Sequence, residues 1–99
     1  MASVSSLQQT RLNLLTHSKN MLNASLDHEW QRYNELDSVW LEMLENASKE
    51  FGEQLDDIGA ELMSDNEKIR ENIQRAQQSL LSELEKETQK FSSVKSYLK

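Results

Sequence analysis

Apolar residues recur along the chain at steps of three, four and seven positions, which is the spacing of one face of an α-helix. In the first segment they are Leu7, Leu14, Leu15, Met21 and Leu22. This spacing predicts a first helix over about residues 5–24. The polar residues that follow it include Asp27, whose side chain is suited to capping a second helix.

A second helix is predicted over about residues 27–50. Its broad apolar face consists of Trp30, Tyr33, Leu36, Trp40, Leu41, Leu44 and Ala47. Gly52 is suited to ending it, because glycine adopts a left-handed backbone conformation without steric cost. We expect the first two helices to form an antiparallel hairpin. The residues expected in the structural core are Leu14, Leu22, Trp30, Tyr33, Trp40, Leu44 and, from the next segment, Leu62.

The remaining apolar stripe predicts one long third helix over about residues 54–97. Its members are Leu55, Ile58, Leu62, Ile69, Ile73, Ala76, Leu80, Leu84, Phe91, Val94 and Leu98. Ser64 and Glu67 have the spacing of a capping box and mark the one point where the helix could restart; we favour continuity. The predicted fold is all-α and forms a single domain over residues 1–99, in which the hairpin packs on the third helix as a three-helix bundle with an overhang.

The overhang follows from the predicted lengths. At a rise of about 1.5 Å per residue, the first two helices each span roughly 30 Å and the third roughly 65 Å. The hairpin therefore covers only part of the third helix, and an uncovered apolar stripe usually marks an interaction site. The alternative is that the third helix breaks near Ser64 or frays after about Lys86, which leaves an ordinary three-helix bundle with a loose tail.

Composition narrows the functional classes. The 99 residues include no proline, no cysteine and only two glycines, so disulfides and thiolate metal sites are excluded. A net charge of -6 argues against nucleic acid as a ligand. The longest apolar run, Val39–Leu41, is far shorter than the ~20 residues that span a bilayer. We expect a cytoplasmic protein that neither inserts in a membrane nor binds nucleic acid directly.

Candidate catalytic groups are few. His17 and His28 lie in different segments, and neither belongs to a pair with metal-binding helical spacing. The carboxylates are spaced as on a solvated helix face, and no glycine-rich loop precedes a helix. We therefore expect no enzymatic activity, no cofactor and no metal site.

Three stretches of the sequence resemble the flagellar export chaperone FliT family. They are the end of the first helix, Ser18–Leu22, the entry to the second helix, Asp27–Trp30 with Leu36 six residues on, and the segment Leu62–Ile69 of the third helix. The resemblance covers roughly residues 7–98. Its most specific features are the tryptophan early in the second helix and the asparagine followed by isoleucine in the third.

The resemblance implies a cytosolic chaperone of flagellar type III export. Such a chaperone binds the C-terminal segment of the FliD-like filament-cap protein, prevents its premature assembly and delivers it to the export apparatus. Some members also bind the flagellar master transcriptional regulator. In that family the client docks on a hydrophobic face to which the third helix contributes. Carried over to this sequence, the partner-binding residues are Ile69, Ile73, Ala76 and Leu80, and the apolar stripe adds Leu84, Phe91 and Val94.

Members of the family typically add a C-terminal helix that restrains the binding face, whereas this sequence ends at Lys99. Either this member lacks that helix, or the sequence was cut before it. An unrestrained face can pair with a second copy of the chain as a homodimer. The alternative function is accordingly a structural coiled-coil or adaptor bundle that acts through self-association, which sustained heptads with charged flanking positions would favour. The stripe drifts between three- and four-residue steps, which favours a transient helix-in-groove contact.

Overall fold

The computed structural model describes the backbone of residues 2–97 and the side chains of residues 6–90. The elements in chain order are α1 (Ala2–Leu26), α2 (Trp30–Phe51), a 3₁₀ turn (Gly52–Leu55) and α3 (Asp56–Tyr97). The described residues form no β-strand, and α3 runs through Ser64 without a break. The predicted all-α fold with one long third helix is therefore confirmed.

The turn between α1 and α2 differs from the prediction. The backbone N–H of Glu29 donates to the carbonyl of Ala24 at 2.9 Å, and His28 has a left-handed φ of 58°. Both features are typical of a Schellman helix terminus. The backbone N–H of Asp27 donates to the carbonyl of Asn23 at 3.0 Å and so completes α1. The prediction that Asp27 caps the second helix was wrong, because α1 needs this residue for its own last turn.

The end of α2 lies where the sequence places it. Gly52 follows the last helical residue with a φ of 52°, and its backbone N–H donates to the carbonyl of Ser48. A side chain at this φ would be strained, which explains the glycine. The chain then reverses through the 3₁₀ turn into α3.

α1 is the central helix of the bundle. It packs against both α2 and α3, whereas α2 and α3 have few close approaches of their own. Polar contacts join Arg11 to Asp57, Ser18 to Asp65 and Ser25 to Asn72. The residue numbers increase in the same direction along both helices, so α1 and α3 run parallel to each other. The α3 residues of this seam follow steps of four and three, as in a coiled coil: Ile58, Leu62, Asp65, Ile69 and Asn72.

The hydrophobic core is thin. Among the described side chains, the buried hydrophobic residues are Leu14, Met21, Ala24, Ala47, Ile58 and Ile69. Three of them, Leu14, Ala47 and Ile58, form a cluster where all three helices contribute. Of the residues predicted to form the core, Leu14 is buried. The other six are half-buried: Leu22, Trp30, Tyr33, Trp40, Leu44 and Leu62.

His17 fastens α1 to α2. Its ring stacks on Trp40 with 5.3 Å between ring centroids and 6° between the planes. Its Nε2 donates to the carbonyl of Leu36 at 2.7 Å. Because a carbonyl only accepts, this contact requires the proton on Nε2. The histidine therefore has a structural place between the helices.

A buried polar cluster fastens α1 to α3. Asp65 is 1% exposed, and its carboxylate accepts hydrogen bonds at 2.8 Å from the Ser18 hydroxyl and the Lys19 ammonium. The ammonium also lies 3.1 Å from Glu61. The hydrogen bonds that the ammonium donates to Asp65 and then to Glu61 raise the pKa of Lys19, which keeps the ammonium charged. The cluster holds the two helices in one register.

α3 extends beyond the hairpin. Asn72 is the last buried side chain among those described on α3, and it contacts Ser25, which precedes the last residue of α1. The side chains of residues 77–90 are all exposed. They include Leu80, Leu81 and Leu84, which are 58%, 59% and 50% exposed. The principal extents of 79 × 21 × 20 Å agree with the predicted overhang.

Candidate functional site

A groove of about 570 Å³ opens between the start of α2 and the middle of α3. We call it the α2–α3 groove. Its walls are His28, Trp30, Tyr33 and Asn34 on one side, and Ile73, Ala76, Gln77, Ser79, Leu80 and Glu83 on the other.

The groove exists because α1 ends too early to fill it. Up to Asn72, the face of α3 that points to the bundle is covered by α1. The next positions of the same seam are Ala76, Ser79 and Glu83, and all three line the groove. The packing surface of α3 thus continues for about three turns beyond the level at which α1 ends. No described helix covers this part of α3.

Aromatic side chains form the α2 wall. His28 stacks on Trp30 with 5.6 Å between ring centroids, and Tyr33 meets the same indole edge-on at 6.1 Å. Burial and, to a smaller extent, the negative charge of Asp37 raise the pKa of Tyr33. The phenol therefore stays neutral over the physiological range. Aromatic residues of this kind are common anchors in protein interfaces.

A second, smaller cleft continues the groove toward the base of the bundle. It has a volume of about 320 Å³ and shares Tyr33, Ile73 and Gln77 with the α2–α3 groove. Its floor includes Ile69. The open space between α2 and α3 therefore extends from the level of the α1–α2 turn toward the start of α3.

The residues predicted to bind a partner occupy three different environments. Leu80 and Leu84 are exposed on the overhang, and Ile73 and Ala76 are half-buried in the wall of the groove. Ile69 is only 5% exposed. α1 still covers α3 at this level, so Ile69 reaches open space only at the smaller cleft, and its partner-binding role stays a prediction. The side chains of Phe91 and Val94 lie outside the described residues.

Two residues predicted to be core also line the groove. Trp30 and Tyr33 are half-buried, and each presents part of its ring to the open space opposite Ile73. Aromatic residues at helical spacing fit either a core or a groove wall, so the pattern alone did not separate the two roles. What separates the two roles is that α2 and α3 have few close approaches of their own, which the pattern of a single helix does not show.

The groove has negative charge at its α3 end. Its two wall segments, residues 27–37 and 73–87, carry seven acidic and three basic residues, and of the acidic residues Glu83 lines the groove. Of the basic residues, Arg32 lies 3.9 Å from Glu29. Arg75 lies 4.0 Å from Glu71. Among the described residues, Glu83 has no ion-pair partner.

No family model, curated protein or solved structure matches this chain. In the part of the chain that the structure describes, no group of three or more histidines and carboxylates is arranged to hold a metal ion. No helix of that part is long and apolar enough to cross a membrane. The α2–α3 groove is the candidate site on which the functional proposal depends.

Proposed function

We propose that this chain is a FliT-like cytoplasmic export chaperone that holds a helical C-terminal segment of the flagellar cap protein in the α2–α3 groove and so prevents its premature assembly. The export apparatus is the recipient in this proposal, and the flagellar transcriptional regulator is a second partner. The resemblance over residues 7–98 suggests the identity of the client. The α2–α3 groove suggests the surface on which the client docks.

The observation that carries the proposal is the end of α1 opposite Asn72, with the seam of α3 continuing beyond it. A seam that elsewhere packs against a helix is shaped to receive another helix. Peptide recognition by a helix in an apolar groove uses anchors at positions i, i+3 or i+4 and i+7. The groove presents Trp30, Ile73 and Leu80 to such anchors.

The available driving force suits a transient complex. Burial of an aliphatic side chain contributes about 1.5–3 kcal/mol. Leu80 is 58% exposed, and Ile73 and Trp30 are partly exposed; covering these three lining residues contributes several kcal/mol before ordering costs are subtracted. A client that has to be released for export needs affinity of this moderate kind.

Titration calorimetry of the whole chain with a cap-protein C-terminal segment tests the proposal. We expect saturable 1:1 binding with a dissociation constant in the micromolar range or below and a negative heat-capacity change, because apolar surface is buried. Absence of heat at micromolar concentrations, with the segment shown to be monomeric, would remove the cap protein as the client.

A second function, permanent self-association, is favoured by one observation. Leu81 is 59% exposed on the overhang and does not line the groove, so the overhang has apolar surface that a client in the groove leaves uncovered. Self-association requires a stable oligomer of the free protein. Sedimentation of the free chain detects such an oligomer, which the chaperone proposal does not require.

A further inference from the structure

The α2–α3 groove combines apolar walls with an acidic end. Trp30, Ile73 and Leu80 provide apolar wall surface, and Glu83 lies at the far end of the groove. Glu87 follows Glu83 by one helical turn, so both carboxylates lie on the same side of α3. Lys86 is the only basic residue of the overhang before Lys90.

These carboxylates are not neutralised within the described residues. Arg32 and Arg75, the other basic residues of the groove segments, lie near Glu29 and Glu71, and Glu83 and Glu87 have no ion-pair partner among the described residues. The described side chains of the α2 wall include no carboxylate. A ligand in the groove therefore meets negative charge at the α3 end of the groove.

We propose that the α2–α3 groove selects a basic amphipathic helix of a partner protein, with an apolar stripe that packs on Trp30, Ile73 and Leu80 and Lys or Arg residues beside the stripe that face Glu83 and Glu87. The α3 seam that α1 covers up to Asn72 continues into the groove, so the occupant is a helix. The α3 end of the groove is acidic, so the flanking positions of that helix are basic.

The inference rests on the proposed function, since it concerns the same groove, but it specifies the chemistry of the occupant rather than its identity. Exposed charges act over about 8–10 Å at physiological ionic strength and are screened by salt. Complementary charge of this kind changes association rate and partner choice more than it changes total affinity. The selectivity is therefore expected to be strongest at low ionic strength.

The test uses the whole chain and two designed helical peptides of equal length with the same apolar stripe. One carries Lys at the flanking positions and the other carries Glu, and binding is followed by fluorescence anisotropy. At low salt we expect the Lys peptide to bind about tenfold more tightly than the Glu peptide, with the difference shrinking several-fold in 0.5 M salt. Equal binding of the two peptides at low salt overturns the proposal.

Two charge-reversal variants separate the groove from the net charge of the chain. Glu83→Lys and Glu45→Lys make the same change in total charge, but Glu45 is an exposed residue of α2 that does not line the groove. We expect Glu83→Lys to weaken binding of the Lys peptide several-fold and Glu45→Lys to leave it nearly unchanged. Equal effects of both variants overturn a groove-specific selection.

The remaining outcomes are also decisive. If the free chain forms a dimer that Glu83→Lys dissociates, the basic occupant is a second copy and the partner assignment is wrong. Binding of the cap-protein segment together with indifference to peptide charge keeps the proposed function and removes this inference. Binding of the Lys peptide without binding of the cap-protein segment keeps the inference and removes the proposed client.

Discussion

Replacing Ile73 with aspartate is expected to weaken client binding about 30-fold or more while the helical content of the protein is retained. Ile73 lies in the α3 wall opposite Trp30 and Tyr33, at the point that the groove shares with the smaller cleft. A carboxylate there would be desolvated by the client without a partner. Central interface positions of this kind contribute at least about 2 kcal/mol, and each 1.4 kcal/mol is a factor of ten in affinity. Titration calorimetry measures the change.

Leu81→Asp is the matched control for this variant. Leu81 is an exposed leucine on the same helix, eight residues further on, and it does not line the groove. We expect it to change client affinity less than threefold. Because Ile73 is half-buried, Leu80→Asp provides a second groove variant at a 58% exposed position, where unfolding is not a concern. If both groove variants bind the client as well as Leu81→Asp does, the client does not occupy the groove.

Removing the buried carboxylate of Asp65 is expected to produce the largest loss of stability of any single substitution among the polar residues between α1 and α3. In Asp65→Ala the hydroxyl of Ser18 loses its acceptor inside the α1–α3 interface, and a small cavity is left. An unsatisfied buried polar group costs about 1–3 kcal/mol, to which the cavity adds. We expect a decrease of about 3 kcal/mol in the free energy of unfolding, measured by urea denaturation.

Two companion variants show whether burial is the cause. Asp65→Asn keeps the shape and an acceptor for Ser18, so we expect a smaller loss. Glu61→Ala removes the other carboxylate near Lys19. The side chain of Glu61 is half exposed, and exposed ion pairs contribute little to stability. We expect its urea midpoint to be nearly unchanged. If Asp65→Ala and Glu61→Ala have the same effect, the cluster acts only as a surface ion pair and does not fix the register of α1.

The sequence was sufficient to predict the three helices and the overhang. The steps of three and four residues mark each helix face, and the greater length of the third stripe predicts that part of it is uncovered. What spacing alone does not provide is the partner of each face. Ser64 and Glu67 have the spacing of a helix cap, but the residue of this segment that joins α3 to α1 is Asp65. Its partner, Ser18, lies 47 positions earlier in the sequence.

The same limit applies at the candidate site. Ile69, Ile73 and Leu80 belong to one stripe in the sequence, but α1 covers the first of them and ends before the third. Trp30 and Tyr33 belong to the predicted hairpin core, but α2 and α3 have few close approaches, so both rings line a groove. Both cases depend on how the three helices pack against one another, and the register of α1 and α3 depends on the buried polar contacts.

The most direct test of the account uses the two tryptophans of the chain as reporters. Trp30 lines the groove, whereas Trp40 is stacked on His17 between α1 and α2. Trp40→Phe leaves only the groove indole, and Trp30→Phe leaves only the interhelical one. On addition of a tryptophan-free cap-protein segment, we predict a saturable blue shift of the emission of Trp30 and an unchanged emission of Trp40. A saturable shift of Trp40 with an unchanged Trp30 would contradict the account, because the client would then lie outside the α2–α3 groove.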